Sequence, residues 1–214
     1  MDEAALRRLG AWFCVAALAV YVLCTIVSII RFGQIMHPLS NWISDLGSTT
    51  INPDGALVYN AGLVLTGLLM IPFVLSFGTW HIGPGWSRYT LILAEIVGLG
   101  FCLGMILLGI FSEESGTVHL RLSELVYATL TLMILLVNVA LLRNVRYKLW
   151  IIPVWGFVAF LLNCGQIVLY LMGYKPILFI WLSVYFSLGW ILLFCYNALA
   201  TRAPDLVETR HKIL

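Results

Sequence analysis

The stretch Leu9–Ile30, LGAWFCVAALAVYVLCTIVSII, runs for 22 residues without a charged side chain. An α-helix needs about 20 predominantly apolar residues to cross a hydrocarbon core about 30 Å thick. The stretch therefore predicts a membrane-spanning helix. Arg7 and Arg8 precede it, as in a signal peptide, but the run is too long for one and lacks a small-residue cleavage site. We expect the helix to be retained.

Five further apolar runs of similar length follow along the chain. They cover Ala56–Phe77, Tyr89–Phe111, Leu122–Leu142, Leu149–Met172 and Pro176–Leu199. The sequence thus predicts an all-α, polytopic integral membrane protein with six transmembrane helices, folded as one domain over residues 1–214. We expect a multi-pass protein of the plasma membrane.

The composition excludes two other classes of protein. The chain is 62% hydrophobic and 10% charged, whereas a soluble domain has about 25% charged residues. The continuous apolar runs also lack the alternation of a transmembrane β-barrel. Twelve Lys and Arg oppose ten Asp and Glu, so no dense basic face is available and we expect no nucleic-acid partner.

The basic residues predict the orientation in the membrane. Six spans place both termini on one side, and nine of the twelve Lys and Arg fall on that side. These nine are Arg7, Arg8, Arg88, Arg143, Arg146, Lys148, Arg202, Arg210 and Lys212. Because cytoplasmic segments carry an excess of Lys and Arg, cytoplasmic N and C termini are predicted. The loops after the first and third helices are then extracytoplasmic.

The first of these loops contains HPLSNWISDLG, residues 37–47. Pro38 suits the first turn of a helix and Gly47 a C-terminal stop, which predicts a short interfacial helix. Leu39, Trp42, Ile43 and Leu46 recur at helical spacing and would share one apolar face. The polar residues beside or opposite that face are His37, Ser40, Asn41, Ser44 and Asp45. We expect the helix to lie on the bilayer surface with these residues as a polar ledge.

The polar ledge has two interpretations. Ser, Asn and Asp are ordinary turn and capping residues, so Ser40, Asn41 and Ser44 could serve only the backbone. A carboxylate and an imidazole on one face could instead hold a metal or act as an acid–base pair. For His37 and Asp45 we favour the second interpretation.

A second polar cluster follows the third helix and enters the fourth. Its charged members are Glu113, Glu114, His119, Arg121 and Glu124. Charged residues inside a membrane usually face the protein interior and mark a site. The alternative for Arg121 and Glu124 is an ion pair at i, i+3 spacing that only neutralises itself. For Glu113 and Glu114 we favour a solvated loop over ligand binding.

Further polar residues lie within the predicted spans. Asn60, Asn163 and Gln166 are placed in the outer half of the membrane and could line a cavity, although such residues often only hydrogen-bond between helices. Glu95 lies near the inner surface. Asn138, Arg143 and Asn197 are its expected neighbours, and it acts either in a structural pair or as a proton-coupling carboxylate.

The two outer segments carry a family resemblance. HPLSNWISDLGSTTINPDG, residues 37–55, and GIFSEESGTVH, residues 109–119, resemble elements of a prokaryotic membrane family known as domain of unknown function 998. The matching positions are Ser44, Asp45, Gly47 and His119. A more distant likeness, at ISDLG and the downstream Pro53, is to the eukaryotic DRAM and GPI-attachment-factor membrane families. The resemblance implies the six-helix fold and the position of the site, and it implies no activity.

These observations lead to one main hypothesis, in which an extracytoplasmic polar site binds or hydrolyses a lipid headgroup. The expected catalytic groups are His37, Asp45, His119 and Glu124, and the first three could also ligate a divalent metal such as zinc. The expected substrate contacts are Ser40, Asn41, Ser44, Asn60, Arg121, Asn163 and Gln166, with Arg121 on a phosphate. Membrane lipids are the expected partners, and the sequence is compatible with a homo-oligomer.

Two alternatives come from other functional classes. A small transporter or channel would need a polar path from Glu95 to the outer cluster. A non-catalytic scaffold or lipid sensor would have its polar groups saturated by one another. Walker A, GxSxG, HExxH and CxxC motifs are absent from the sequence, so the catalytic classes that depend on them have no support.

Overall fold

The computed structural model describes residues 2–82, 85–142, 144 and 149–200. Six α-helices lie in these residues. They are α1 (Glu3–Ile30), α2 (Ala56–Val74), α3 (Gly85–Ile110), α4 (Thr117–Leu141), α5 (Ile151–Leu171) and α6 (Ile177–Ala200). Each is long and apolar enough to cross a membrane. The predicted all-α class and the six spans are therefore confirmed.

Several helices begin before their apolar run does. α1 starts six residues earlier than predicted, where the side chain of Asp2 caps it by accepting a hydrogen bond from the Ala5 amide at 2.6 Å. The guanidinium of Arg7 donates to the Thr79 carbonyl at 2.6 Å and lies 5.8 Å from the centre of the Trp80 ring. The polar residues at the start of α1 thus have hydrogen-bonding partners in the protein, and α1 extends beyond its apolar run to include them.

The six helices form a closed ring. Each packs against the next one in sequence, and α6 packs back against α1. One end of the ring carries residues 31–55, here called the outer loop, and residues 111–116, here called the hairpin loop. We call this the outer end. The predicted orientation depends on nine basic residues. Six of them lie outside the described residues: Arg143, Arg146, Lys148, Arg202, Arg210 and Lys212.

Aromatic side chains fill the inner half of the ring. Phe73 of α2 and Phe77, which follows the end of α2, both contact Phe194 of α6. Their ring centres lie 5.5 and 6.0 Å from that of Phe194. Trp80 and Trp190 pack on the same phenylalanine, at 4.6 and 5.8 Å. All five rings are almost completely buried. The inner half is therefore a solid core.

Glu95 stabilises the inner connection between α2 and α3. Its Oε1 accepts a hydrogen bond from the Gly78 amide at 2.8 Å, in the single 3₁₀ turn Phe77–Trp80. Asn144 donates to the Trp80 carbonyl of the same turn at 2.7 Å. The expected neighbour Asn138 makes hydrogen bonds to other residues, and Arg143 lies outside the described residues. The structural interpretation of Glu95 thus has a specific partner, a backbone amide.

Asn138 joins α4, α5 and α6 in the inner half. Its Oδ1 accepts from the indole of Trp190 at 3.1 Å, and its Nδ2 donates to the Pro153 carbonyl at 3.3 Å. Gly156 of α5 lies directly against Asn138 and Trp190, where no side chain would fit. The three helices are consequently held in close contact on the inner side of the membrane.

Candidate functional site

A cavity of about 810 Å³ occupies the outer half of the ring. All six helices and both outer-end loops contribute to its wall. The lining residues run from Tyr59 to Met70 on α2, from His119 to Leu130 on α4 and from Ile180 to Ile191 on α6, which is eleven helical steps on each helix. Eleven helical steps correspond to about 16 Å, roughly half of a 30 Å hydrocarbon core. The cavity is therefore about as deep as one leaflet of the membrane.

The wall of the cavity is apolar with a polar mouth. Most of its side chains are aliphatic or aromatic, and hydroxyl and amide groups interrupt them at Tyr21, Tyr59, Thr66, Tyr127, Gln166 and Ser187. The polar residues at the mouth are Ser44, Glu113, His119, Arg121, Ser123 and Glu124. This distribution follows the polarity of the membrane itself, from the headgroup region to the acyl chains.

The cavity opens sideways between α4 and α5. Among its lining residues the exposed ones are Gly116, Leu120, Arg121, Ala128, Tyr170 and Leu171, all on the outer parts of these two helices or at the start of α4. Asn138 and Gly156 hold α4 and α5 together further in, and the exposed lining residues all lie toward the outer end. We call this opening the α4–α5 portal. Ala128 lies eleven residues into α4, so the portal extends about 16 Å along it.

The outer loop forms the roof of the cavity, through Trp42, Ile43 and Ser44. A short helix does form here, but it is a 3₁₀ helix over Ile43–Gly47 rather than an α-helix from Pro38. The carboxylate of Asp45 accepts hydrogen bonds from the Trp42 amide at 3.0 Å and from Asn41 Nδ2 at 3.3 Å. Asp45 thus satisfies the Trp42 amide, which in a continuous α-helix would donate to a carbonyl of the preceding turn. A new turn therefore starts at Ile43.

The predicted polar ledge consequently differs from the observed one. Leu39 is 63% exposed, whereas Ile43 and Leu46 are buried in the protein, so these residues do not share one apolar face. Asp45 is only 6% exposed and lies under the loop rather than in water. His37 and Ser40 are exposed and do not line the cavity.

Hydrogen bonds attach the outer loop to three helices. Asn52 Nδ2 donates to Ser28 Oγ of α1 at 2.8 Å and to the Leu46 carbonyl at 2.9 Å. Asn60 of α2 donates to the Gly47 carbonyl at 2.9 Å, and the Trp181 indole of α6 donates to the Asn41 carbonyl at 2.9 Å. Asn41 and Asn60 thus position the roof and are not lining residues.

Gly47 is required by the close approach of α2. A Cβ at this position would contact Asn60 Oδ1 and would lie 3.1 Å from Tyr59 Cδ1. We expect Gly47→Ala to turn the Asn60 side chain away and to lower the free energy of unfolding by about 1 kcal/mol, the net value of one hydrogen bond. Thermal unfolding in detergent measures this. Gly33→Ala in the same loop meets no atom within 4 Å and should have no such effect; equal effects of the two substitutions would contradict the assignment.

Three of the four acidic groups at the outer mouth have protein partners. Glu124 Oε2 accepts from Arg121 at 2.8 Å. Burial raises the pKa of Asp45, and the bonds from Asn41 and Trp42 oppose this. Burial also acts to raise the pKa of Glu114, but hydrogen bonds outweigh it and hold that pKa well below its usual range. The donors to Glu114 are Ser112 at 2.8 Å, Ser48 at 2.8 Å and the Thr50 amide at 3.0 Å.

Glu113 is the exception. It lines the cavity, and its Oε2 is buried and accepts no hydrogen bond from the residues that the structure describes. Burial raises the pKa of Glu113 to about 7, and the negative charges of Asp45 and Glu114 add to the increase. A carboxylate with a perturbed pKa inside a cleft is typical of a functional site.

The two histidines of the outer end have defined hydrogen-bonding roles. His37 Nδ1 accepts from the Leu39 amide at 3.2 Å. His119 Nδ1 lies 2.9 Å from the Phe111 carbonyl, and because a carbonyl oxygen only accepts, this nitrogen carries the proton. Within the described ranges no three His, Cys, Asp or Glu side chains are arranged to hold a metal. The expected zinc site of His37, Asp45 and His119 is therefore not assembled, because the three side chains make separate local contacts.

A family model matches residues 15–197, and its description is a protein of unknown function, DUF998. The chain is a DUF998 protein. No curated protein and no solved structure matches it, so the distant likeness to the DRAM and GPI-attachment-factor families stays a prediction. The matched region begins inside α1 and ends inside α6. It includes the whole cavity of this DUF998 protein.

The cavity contains some of the predicted site residues and not others. Ser44, His119, Arg121, Glu124 and Gln166 line it, whereas His37, Ser40, Asn41, Asp45, Asn60 and Asn163 do not. Asn163 is buried between helices, where its Nδ2 donates to Ser187 Oγ at 2.9 Å and to the Ala159 carbonyl at 2.8 Å. Its contacts are those of the interhelical alternative.

Glu113 lines the cavity of this DUF998 protein. The sequence had predicted that it lies in a solvated loop. The sequence Ser-Glu-Glu-Ser gives no reason to separate Glu113 from Glu114. The separation comes from the single 3₁₀ turn Glu113–Ser115, in which successive side chains point about 120° apart. Glu114 points to the outer loop and Glu113 to the cavity.

Proposed function

We propose that this protein binds a membrane amphiphile. In this proposal the apolar chain of the amphiphile occupies the cavity and its polar head group lies at the mouth. The supporting observation is the combination of a one-leaflet depth with the lateral α4–α5 portal. A volume of about 810 Å³ lies in the range of about 300–1,000 Å³ of small-molecule sites.

The polar mouth supports the same proposal. The guanidinium of Arg121 is 73% exposed and keeps donors beyond the one that it uses on Glu124. Because His119 donates through Nδ1, its Nε2 is the ring nitrogen left for a ligand. The mouth thus offers donors and acceptors at the depth where a lipid has its head group, and the wall below offers apolar contacts.

The inner half of the ring favours binding over transport. A transporter would need a polar path from the cavity to Glu95. Below Met70, the deepest lining residue of α2, the next buried side chains of the helix are Phe73 and Val74, and Phe77 follows them. This aromatic core separates the cavity from the Gly78 turn that Glu95 contacts.

Closing the portal tests the proposal. Ala128→Trp places a large side chain in the α4–α5 portal, and we expect it to reduce copurified lipid about tenfold, because overpacking typically costs about 1–3 kcal/mol and 1.4 kcal/mol is a factor of ten. Native mass spectrometry of protein extracted in a mild detergent measures the bound lipid. Ala19→Trp is the matched control, since Ala19 is exposed on α1 and does not line the cavity.

Two results would overturn the proposal. One is wild-type protein without bound lipid after incubation with vesicles of a bacterial lipid extract. The other is equal lipid occupancy in Ala128→Trp, Ala19→Trp and wild type. Thermal unfolding of both variants shows whether each is folded.

A further inference from the structure

The acids at the mouth of the cavity are partnered unequally. Asp45, Glu114 and Glu124 each accept at least one hydrogen bond from the protein. Glu113 lines the cavity, and its Oε2 is buried and accepts no hydrogen bond from the described residues. A buried acceptor without a donor raises the free energy of the folded protein. A ligand that donates a hydrogen bond at this point would recover that free energy.

The mouth also carries an excess of negative charge. Arg121 and Glu124 form an ion pair at 2.8 Å and cancel each other. Among the described residues, no cation forms an ion pair with Glu113, which lines the mouth, or with Asp45 and Glu114, which lie beside it. The other acidic, basic or histidine side chains near this end are His119, which lines the mouth, and His37, Arg31, Asp54 and Lys175, which do not line the cavity; the titratable tyrosines of the wall are Tyr21, Tyr59, Tyr127 and Tyr170. The electrostatic complement of this mouth is a cation.

We infer that the head group of the bound amphiphile carries a protonated amine, which pairs with the Glu113 carboxylate. The inference rests on the proposed function and adds the chemical class of the head group. A hydroxyl head group would supply the donor without the charge. A quaternary ammonium would supply the charge without the donor. An anionic head group would be repelled by three carboxylates at close range.

Lipids that differ only at nitrogen test the inference directly. Phosphatidylethanolamine and phosphatidylcholine with identical chains have the same phosphate, but three methyl groups replace the N–H donors in the second. Purified protein is equilibrated at pH 8 with vesicles containing equal amounts of the two, and native mass spectrometry reports which lipid is bound. We expect about a tenfold preference for phosphatidylethanolamine, since a hydrogen bond between charged groups is stronger than one between neutral groups.

Glu113→Gln should reduce this preference to less than about twofold, because the amide has lost the negative charge that strengthens the bond. Asp54→Asn is the matched control. It removes one negative charge from the outer end at a residue that does not line the cavity, and it should keep the preference. Wild-type preference should also fall below pH 6, since Glu113 is then protonated.

The outcomes separate the inference from the proposed function. Equal binding of the two lipids by wild type overturns the inference and leaves lipid binding intact. A preference that persists in Glu113→Gln overturns the assignment to Glu113. Absence of any bound lipid overturns both. A long-chain primary alkylamine gives a further arm: its displacement of phosphatidylethanolamine from wild type but not from Glu113→Gln supports recognition of the amine itself, and equal displacement from both proteins contradicts it.

Discussion

Gly156→Leu is expected to lower the melting temperature of the protein by about 10 °C or to prevent folding. A Cβ at this position would contact Asn138 Nδ2 and would lie 2.6 Å from the Trp190 indole nitrogen. Both groups belong to the hydrogen-bonded contact that joins α4, α5 and α6. Overpacking costs about 1–3 kcal/mol, and losing the two bonds of Asn138 adds about 1–3 kcal/mol.

The expected shift follows from this sum and is measurable in detergent. About 4 kcal/mol corresponds to about 10 °C for a chain of this size, at 2–4 °C per kcal/mol. Gly165→Leu is the matched control on the same helix, because a Cβ there makes only ordinary contact with Phe179 at 3.5 Å. Similar melting temperatures for the two variants would contradict the tight packing at Gly156.

The sequence predicts the spans well because a membrane imposes a length on each helix. The run without charges at Leu9–Ile30 is sufficient for α1, since about 20 apolar residues are needed whatever the helix packs against. The ring and its portal depend instead on which faces meet. The sequence gives no direct sign that Asn138 meets Gly156, so Asn138 was expected beside Glu95.

The candidate site was predictable where the bilayer decides the direction of a side chain. Gln166 is costly in lipid, is buried and lines the cavity, as the rule for polar residues in membranes predicts, whereas Arg121 and Glu124 line the mouth as the i, i+3 ion pair. Loop residues follow no such rule. Asp45 accepts a hydrogen bond that depends on the local 3₁₀ turn of the outer loop. Asn60 donates to the carbonyl of Gly47, which is distant from it in sequence.

The ISDLG segment illustrates both situations at once. Ser44 lines the cavity, Asp45 starts the 3₁₀ turn, and Gly47 permits the close approach of Asn60. Its polar residues are therefore mostly structural, and the segment supports function by shaping the roof. The acid that faces the ligand site comes from the other outer-end loop.

Glu113→Gln is expected to stabilise the lipid-free protein at pH 8 and to have little effect at pH 4.5. The pKa of Glu113 is raised from 4.5 to about 7 in the folded state. Between these two values the folded protein binds more protons than the unfolded chain, so stability falls as pH rises through this window. The destabilisation is fully present above the folded pKa. Glutamine does not titrate and removes it.

We expect Glu113→Gln to raise the free energy of unfolding at pH 8 by about 2 kcal/mol, after allowance for solvent screening of a half-buried group. This corresponds to a rise of about 6 °C in melting temperature. Thermal unfolding of delipidated protein between pH 4.5 and pH 8 measures it. Asp54→Asn should leave the slope against pH unchanged. A Glu113→Gln profile parallel to that of wild type would show that Glu113 ionises normally.

The same measurement with an amine amphiphile present should narrow the difference in stability between the two proteins at pH 8. A ligand that binds only the folded state stabilises it by mass action. A protonated amine beside Glu113 supplies the missing donor, so wild type should gain more stability at pH 8 than Glu113→Gln does. Raising the pH would then destabilise the occupied wild-type protein less than the empty one. This smaller response to pH links the unpartnered carboxylate to its ligand, because a purely structural role for Glu113 would give the same response in both cases.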